Sequence, residues 1–333
     1  MDPAQRPRAA FVAASAMLFS LAAPGAADAQ QASGAYPSRP IRLLVPFAPG
    51  GPTDFIARVM AGRMAERLGQ PVVIDNRAGA SGNIAIQTVA RALPDGHTLL
   101  FSSSNLVSNP ALAAKAPFDP VRDFAPISYV AVAPNILFVH PSVPARSVAE
   151  WVAWAKTQGS RLSYASPGTG TTPHLACEAL RSAAGLQMAQ VPYQGAGPAV
   201  AAVLGNQVPV GCTAIPPTVP HAKSGALRAI AVTSAKRSAV LPDVPTLAES
   251  GFPGVIADNL QGLLAPAGTP QAVIRRLHEE VRAILAEPDI RDRLLAAGFD
   301  LHASTPETFA RIIREETERY GKIIREAGIR SEQ

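Results

Sequence analysis

Aromatic residues are scarce in this sequence: 11 Phe, 5 Tyr and 2 Trp in 333 positions. Stacking platforms for single-stranded nucleic acid need more of them, so that partner is excluded. Charge is sparse as well, at 17% Asp, Glu, Lys and Arg, and no polybasic run occurs. The formal charge of +5 favours small anions slightly and gives no sign of nucleic acid. No G-x-x-x-x-G-K-[ST] is present, which excludes a P-loop. Cysteine appears only at Cys177 and Cys212. Beyond the first thirty residues, no apolar stretch is long enough to span a bilayer. What is plentiful is apolar side chain, at 47%, enough to bury a full core and exclude disorder as the main state. The 32 prolines are scattered between apolar runs and read as loop punctuation. The length fits two domains of ordinary size.

The N-terminus has the grammar of an export signal. Arg6 and Arg8 precede an apolar run from Ala9 to Ala23, and Ala27-Asp28-Ala29 is a small-x-small cleavage site. Residues 1–29 are expected to be removed, leaving a periplasmic chain. No cysteine lies near the cut, so no lipid anchor is expected. An exported chain meets oxidising conditions, so Cys177 and Cys212 are a possible disulfide, with two buried free thiols as the alternative.

One pattern repeats along the rest. A short β-rich run ends in a Gly/Ser/Thr-rich turn, and helical spacing follows. Ile41–Val45 runs into Pro49-Gly50-Gly51-Pro52-Thr53-Asp54, after which Phe55, Ile56, Val59, Met60, Met64 and Leu68 share one helix face, ended by Gly69. Val72–Ile74 leads to Gly79-Ala80-Ser81-Gly82-Asn83, and His97–Phe101 to Ser102-Ser103-Ser104-Asn105. The scheme recurs at Arg161–Ala165 before Ser166–His174, and at Ala189–Tyr193 before Gln194–Pro198. Val208–Thr213 and Leu227–Val232 are further strands. Alternating strands and helices mean βαβ units and a mainly parallel sheet. Ile127–Val139, broken by Pro134, and Asn259–Ala265 are expected to cross between two α/β lobes as a two-strand hinge. Charged helices at 271–286 and 306–327 are expected to return to the first lobe. The expected boundaries are 30–137 plus 259–333 for lobe one and 138–258 for lobe two.

Glycine-rich turns that open helices aim backbone N–H groups and the positive helix end at one place. In open α/β sheets ligands lie at the carboxyl ends of strands. Several such turns in matching positions point to a cleft site. Enzyme motifs are incomplete by comparison. Gly168-Thr169-Gly170 and Gly195-Ala196-Gly197 begin a dinucleotide fingerprint, but Pro173 and Val200 stand in place of the third glycine. Gly79-Ala80-Ser81-Gly82-Asn83 lacks the last glycine of a nucleophile elbow. His174, Cys177 and Glu178 could share a helix face, yet no second ligand pair accompanies them, so no metal is expected. Asp54 could act as a general base or merely favour the start of a helix.

An ordered set of short motifs then carries a resemblance. Tyr36-Pro37, Pro40-Ile41-Arg42, Val45-Pro46-Phe47, Pro49–Asp54, Asp75-Asn76-Arg77, Gly79-Ala80, Pro94-Asp95-Gly96, Val191-Pro192-Tyr193, Leu227–Thr233 and Pro242-Asp243-Val244-Pro245-Thr246 resemble the substrate receptors of tripartite tricarboxylate transporters, the Bug-type periplasmic solute-binding proteins. The resemblance covers the whole chain after the signal. It implies a periplasmic-binding-protein fold of the type II, Venus-flytrap kind, without catalysis. It implies a small carboxylate ligand (an organic acid or acidic amino acid), no cofactor, a monomer, and membrane transporter subunits or a sensor kinase as partners. The rival readings are a receptor for signalling alone and a secreted enzyme acting on an organic acid. Carried over residue by residue, the implied binding positions are Gly50, Gly51, Thr53, Asp54, Ser81, Gly82, Asn83, Ser102, Ser103 and Ser104 in lobe one. In lobe two they are Ser166, Gly168, Thr169, Gly170, Thr171, His174, Tyr193 and Gln194. The chain departs from the resemblance at Val208–Thr213, where an acidic residue often stands.

Overall fold

A computed structural model describes residues 36–113 and 116–327. The expected export signal lies outside them. The strands are β1 (Ile41–Val45), β2 (Val72–Asn76), β3 (Thr98–Ser103), β4 (Phe124–Val139), β5 (Leu162–Ser166), β6 (Met188–Pro192), β7 (Val210–Ala214), β8 (Arg228–Val232), β9 (Asp258–Pro266) and β10 (Asp300–Leu301). The helices are α1 (Pro52–Leu68), α2 (Asn83–Ala90), α3 (Asn105–Leu112), α4 (Val148–Gln158), α5 (Thr172–Ala184), α6 (Ala196–Leu204), α7 (Val219–Lys223), α8 (Gln271–Ala286), α9 (Pro288–Ala296) and α10 (Pro306–Ala327). The strands join in the order β2-β1-β3-β9-β4-β7-β5-β6, with β8 and β10 also on β4.

Two strand–helix series flank a shared centre. In one half β2, β1 and β3 are parallel, and in the other β5 is parallel to both β6 and β7. β4 and β9 run antiparallel between them. β4 serves both halves. Its first part pairs with β9 as far as Pro134, opposite Asp258, and from Asn135 to Val139 it pairs with β7 and β8. Pro134 therefore does not break the run, as the sequence suggests it should. It sits where one partner is exchanged for another, a place where a missing ladder N–H costs little. The return crossing is just as well defined. The carbonyl of Ala257 accepts from Asn135 Nδ2 at 2.8 Å and from the Thr233 hydroxyl, and the chain enters β9 at the next residue.

Each half has its own apolar cluster. One gathers Trp151, Tyr164, Leu180, Val210 and Ile230. The other gathers Leu44, Leu100, Leu106 and Leu264 with Phe309, Ile313, Tyr320 and Ile324. Those last four lie along one face of α10 at helical spacing, while Arg311, Arg314 and Glu318 face water. Burying each such side chain stabilises by about 1.5–3 kcal/mol, which is what returns α10 to the first half. Leu175, from the head of α5, also belongs to this cluster, so the halves touch. Helices α4, α7 and α9 and the two-residue β10 carry no clear signal in the sequence. Among the described residues, no helix is long and apolar enough to cross a membrane.

Candidate functional site

Three helices start at the same edge of the sheet. Pro52 opens α1, and Pro173 lies in the first turn of α5. Proline suits those positions because the first helical N–H groups have no intrahelical partner. α6 starts at Ala196. The three heads surround a cavity of 20 Å³ between the halves, room for about one water molecule. Gly51, Pro52 and Thr53 line it from α1, and Thr171, Thr172 and Pro173 from the head of α5. Ser103, Asn259, Ala196 and Ala214 close it, with Phe47 and Pro167 at the turns. None of these residues carries a charge. The Thr53 hydroxyl is buried in the wall and has no hydrogen-bond partner.

The turns before α1 and α5 are fastened in matching ways. In the first, Gly50 N–H donates to Asp54 Oδ2 at 3.0 Å. Asp54 also accepts from Asn76 Nδ2 at 2.9 Å, and Arg58 Nε donates to both its carboxylate oxygens, at 3.0 and 2.9 Å. Burial alone would raise the carboxyl's pKa. The hydrogen bonds from Arg58, Gly50 and Asn76 outweigh it and hold the group below its ordinary value. In the second turn, Gly170 N–H donates to His174 Nδ1 at 3.0 Å. Burial pushes this imidazole down to about 4, so it is neutral at pH 7 with Nδ1 as acceptor and the proton on Nε2.

Direct contacts join the two halves around the cavity. Ala48 N–H donates to the carbonyl of Gln194 at 2.8 Å, and Ser108 Oγ donates to the carbonyl of Gly170 at 2.8 Å. A Cβ on Gly197 would lie 2.8 Å from the carbonyl oxygen of Pro49, and one on Gly170 would lie 1.8 Å from Leu112 Cδ1. Glycine at these two places is what lets the halves approach so closely. Around them, Asn105 and Asn109 donate to the carbonyl of Ser81, each at 3.0 Å, and Asn109 also reaches Asn83 Oδ1 at 2.7 Å.

Of the positions singled out in the sequence, Gly51, Thr53, Ser103 and Thr171 line the cavity. The others frame it. Ser81 and Gly82 form the turn before α2, and Asn83 is its first residue. Ser102 donates to Asn105, and Ser104 accepts from Leu260 N–H at 2.9 Å, fixing β9 beside β3. Ser166 accepts from Gly168 N–H and Gln190, Thr169 donates to Gln190, and Thr171 donates to the carbonyl of Gly168. Tyr193 is half-buried and the Gln194 side chain is exposed. Phe47, Thr172, Ala214 and Asn259 escape the sequence reading. Asn259 heads the expected extended run Asn259–Ala265, which holds a second amide at Gln261, so nothing local marks it as a cavity residue.

His174, Cys177 and Glu178 do not converge on anything. Glu178 accepts from the Tyr164 hydroxyl and from Arg181, and no group of three His, Cys, Asp or Glu among the described residues could hold a metal ion. Cys177 and Cys212 are buried free thiols. Burial, and then the neighbouring Cys212 thiol, push Cys177 up. Cys212 itself donates to the carbonyl of Pro173 at 3.1 Å.

Comparison with known proteins adds to this geometry. A sequence profile described as "Tripartite tricarboxylate transporter family receptor" matches residues 56–329. Protein BugT of Bordetella pertussis is 36% identical over 310 residues, covering 92% of this chain and 93% of that one. The solved structure of the periplasmic binding protein BugD has a TM-score of 0.86 at 34% identity, covering 89% of this chain and 100% of that one. The Rpa4515 protein of R. palustris, with adipate, has a TM-score of 0.85 at 34% identity over 89% and 99% of the chains. MatC of Rhodopseudomonas palustris, with bound malate, has a TM-score of 0.83 at 33% identity over 87% and 100%.

Proposed function

This chain belongs to the tripartite tricarboxylate transporter receptor family, a family of periplasmic solute-binding receptors and not of enzymes, and on that footing we propose how it works. It captures a small organic carboxylate between its two halves and delivers it to membrane transporter subunits. The single observation that supports this most is the cavity wall: helix heads and hydroxyls on both sides, and no charged side chain. A carboxylate placed there is held by main-chain N–H groups and positive helix ends. Gly51, Thr53, Ser103 and Thr171 contact it. The remaining framed positions hold the turns in shape. The adipate and malate bound by related proteins are acids of this chemistry.

A cavity with room for about one water cannot admit such an acid unless the halves separate. We place the hinge at Pro134/Asn135 and Ala257/Asp258, within three residues of the expected lobe boundaries, 30–137 plus 259–333 for lobe one and 138–258 for lobe two. The working form is a periplasmic monomer cut after Ala29. Mass spectrometry of the exported protein checks the cut: an N-terminus at or within a few residues of Gln30 supports it, and an intact Met1 contradicts it.

A thermal-shift screen against a carboxylate library tests the function. A ligand that binds only the folded state raises the melting temperature in proportion to the logarithm of its excess over Kd. At least one organic acid should do so and be recovered unchanged. No shift with any acid, or turnover of one, contradicts the reading.

A further inference from the structure

We infer that the cleft selects carboxylic acids that carry no cationic group, and so rejects amino acids, the acidic ones included. This rests on the carboxylate reading above and narrows it. Three helices of nine or more residues, α1, α5 and α6, start at the cavity, and the N-terminus of each bears partial positive charge. No carboxylate answers them, because no Asp or Glu lines the cavity. Two carboxylates neighbour wall residues in sequence: Asp54 is 3% exposed and already shared among Gly50, Arg58 and Asn76, and Asp258 lines a different cavity, with Ser234, Lys236 and Phe299.

An independent observation says that the wall expects a polar guest. Thr53 is 1% exposed and its hydroxyl has no partner. A buried hydroxyl can donate to a carboxylate or accept from another hydroxyl. It cannot by itself satisfy an ammonium, which has three donors and a full charge. The rest of the wall offers only neutral groups: the hydroxyls of Ser103, Thr171 and Thr172, the Asn259 amide, and the apolar side chains of Ala196, Ala214 and Phe47. Seating an ammonium there would desolvate it beside three positive helix ends with no counter-charge. That arrangement is expensive in a low-dielectric site. A second carboxylate or a hydroxyl meets no such conflict.

Ala214 is the specificity-determining position. It ends β7, its strand partner is Asn135 at the hinge, and its side chain is a methyl group on the cavity wall. A carboxylate at this position would supply the missing counter-charge.

Matched pairs that differ only by an amino group test this in the unmodified chain: succinate with aspartate, glutarate with glutamate, adipate with 2-aminoadipate. Calorimetry should show the amino-free member of the best-bound pair roughly 30-fold tighter or more. Ala214→Asp should shrink that ratio at least about tenfold, by weakening the amino-free acid, by strengthening the amino acid, or by both. If an amino acid binds the unmodified chain as tightly as its partner, the inference is overturned while the carboxylate reading stands. If no acid of either kind binds, both fall. The wild-type comparison decides the matter even if the Ala214→Asp chain does not fold.

Discussion

Two of the turns at the cavity, one from each half, do the same job with different chemistry. Before α1, a glycine N–H is fastened by the carboxylate four residues on, Gly50 to Asp54. Before α5, a glycine N–H is fastened by the imidazole four residues on, Gly170 to His174. Both keep the glycine turn in one shape, so that the N–H groups beyond it stay aimed at the cavity. The charged latch carries its own counter-ion, Arg58, and so adds no net charge to the site. The neutral latch needs none, but it holds only while the imidazole is unprotonated. A binding site built from peptide dipoles thus ties Asp54 up in its own turn and keeps His174 neutral.

The strongest way to break this symmetry is to block the contact that the second turn makes with α3 of the other half. Gly170 has a φ of +80°, and a Cβ there would collide with Leu112 across the cleft. Gly170→Val should weaken carboxylate binding about 100-fold or more, since it opposes closure as well as straining the turn. Calorimetry gives the affinity, and circular dichroism should show the fold retained. Near-native affinity in a folded variant would remove closure from the account.

Cutting the charged latch comes next. Asp54→Ala strands Gly50 N–H, Asn76 and Arg58, and should cost about 2–3 kcal/mol in urea unfolding, Arg58 being half-exposed and able to find water. Asp54→Asn should cost less, because the amide oxygen can still accept from Gly50.

The neutral latch should announce itself by pH. The unfolded chain binds the imidazole proton near 6.5 and the folded chain near 4. Between those values the unfolded chain binds more protons, so acidification favours unfolding. The contribution of His174 is complete above 6.5 and is lost toward 4. It is on the order of 3 kcal/mol. Asp258 at the hinge works against it. Burial, despite Arg319 and helped by Asp300 and Glu316, raises that carboxyl from 3.8 to about 6. There the folded chain binds more protons, so acidification stabilises. Subtracting the pH profile of a His174→Gln chain from the wild type isolates the imidazole. Asp258→Asn should stabilise at pH 7 by about 3 kcal/mol and do nothing near pH 3. The smallest effect is expected at the surface: Arg311→Ala breaks an exposed pair with Glu315 and should change stability by less than about 0.5 kcal/mol.

Much of the frame can be read from the sequence because it is local. The glycine-proline punctuation places the heads of α1 and α5, and period-2 runs place the strands within a residue or two. What cannot be read locally is which side of a turn meets the cavity. Asp54 and His174 look like ligands in sequence because they sit beside the glycines. In three dimensions they point back to fasten those glycines. Ala214 and Asn259 carry no local signal, since their importance comes from β7 and β9 arriving at the same edge. Pro134 looks like a break because a strand that changes partners has no signature in a one-dimensional pattern. Cys177 and Cys212 stay open for a similar reason. Thiol titration of the denatured, unreduced protein should find two free thiols, as the structure has them.

The central claim is that main-chain N–H groups and hydroxyls, not cationic side chains, hold the ligand between the halves. A crystal structure with the tightest acid of the screen tests it most directly. A carboxylate oxygen should lie about 2.7–3.2 Å from N–H groups at the heads of α1 or α5, or from the Thr53 hydroxyl, with the two lobes closed over it. A carboxylate held by a Lys or Arg side chain, or bound outside the cleft, would contradict the account.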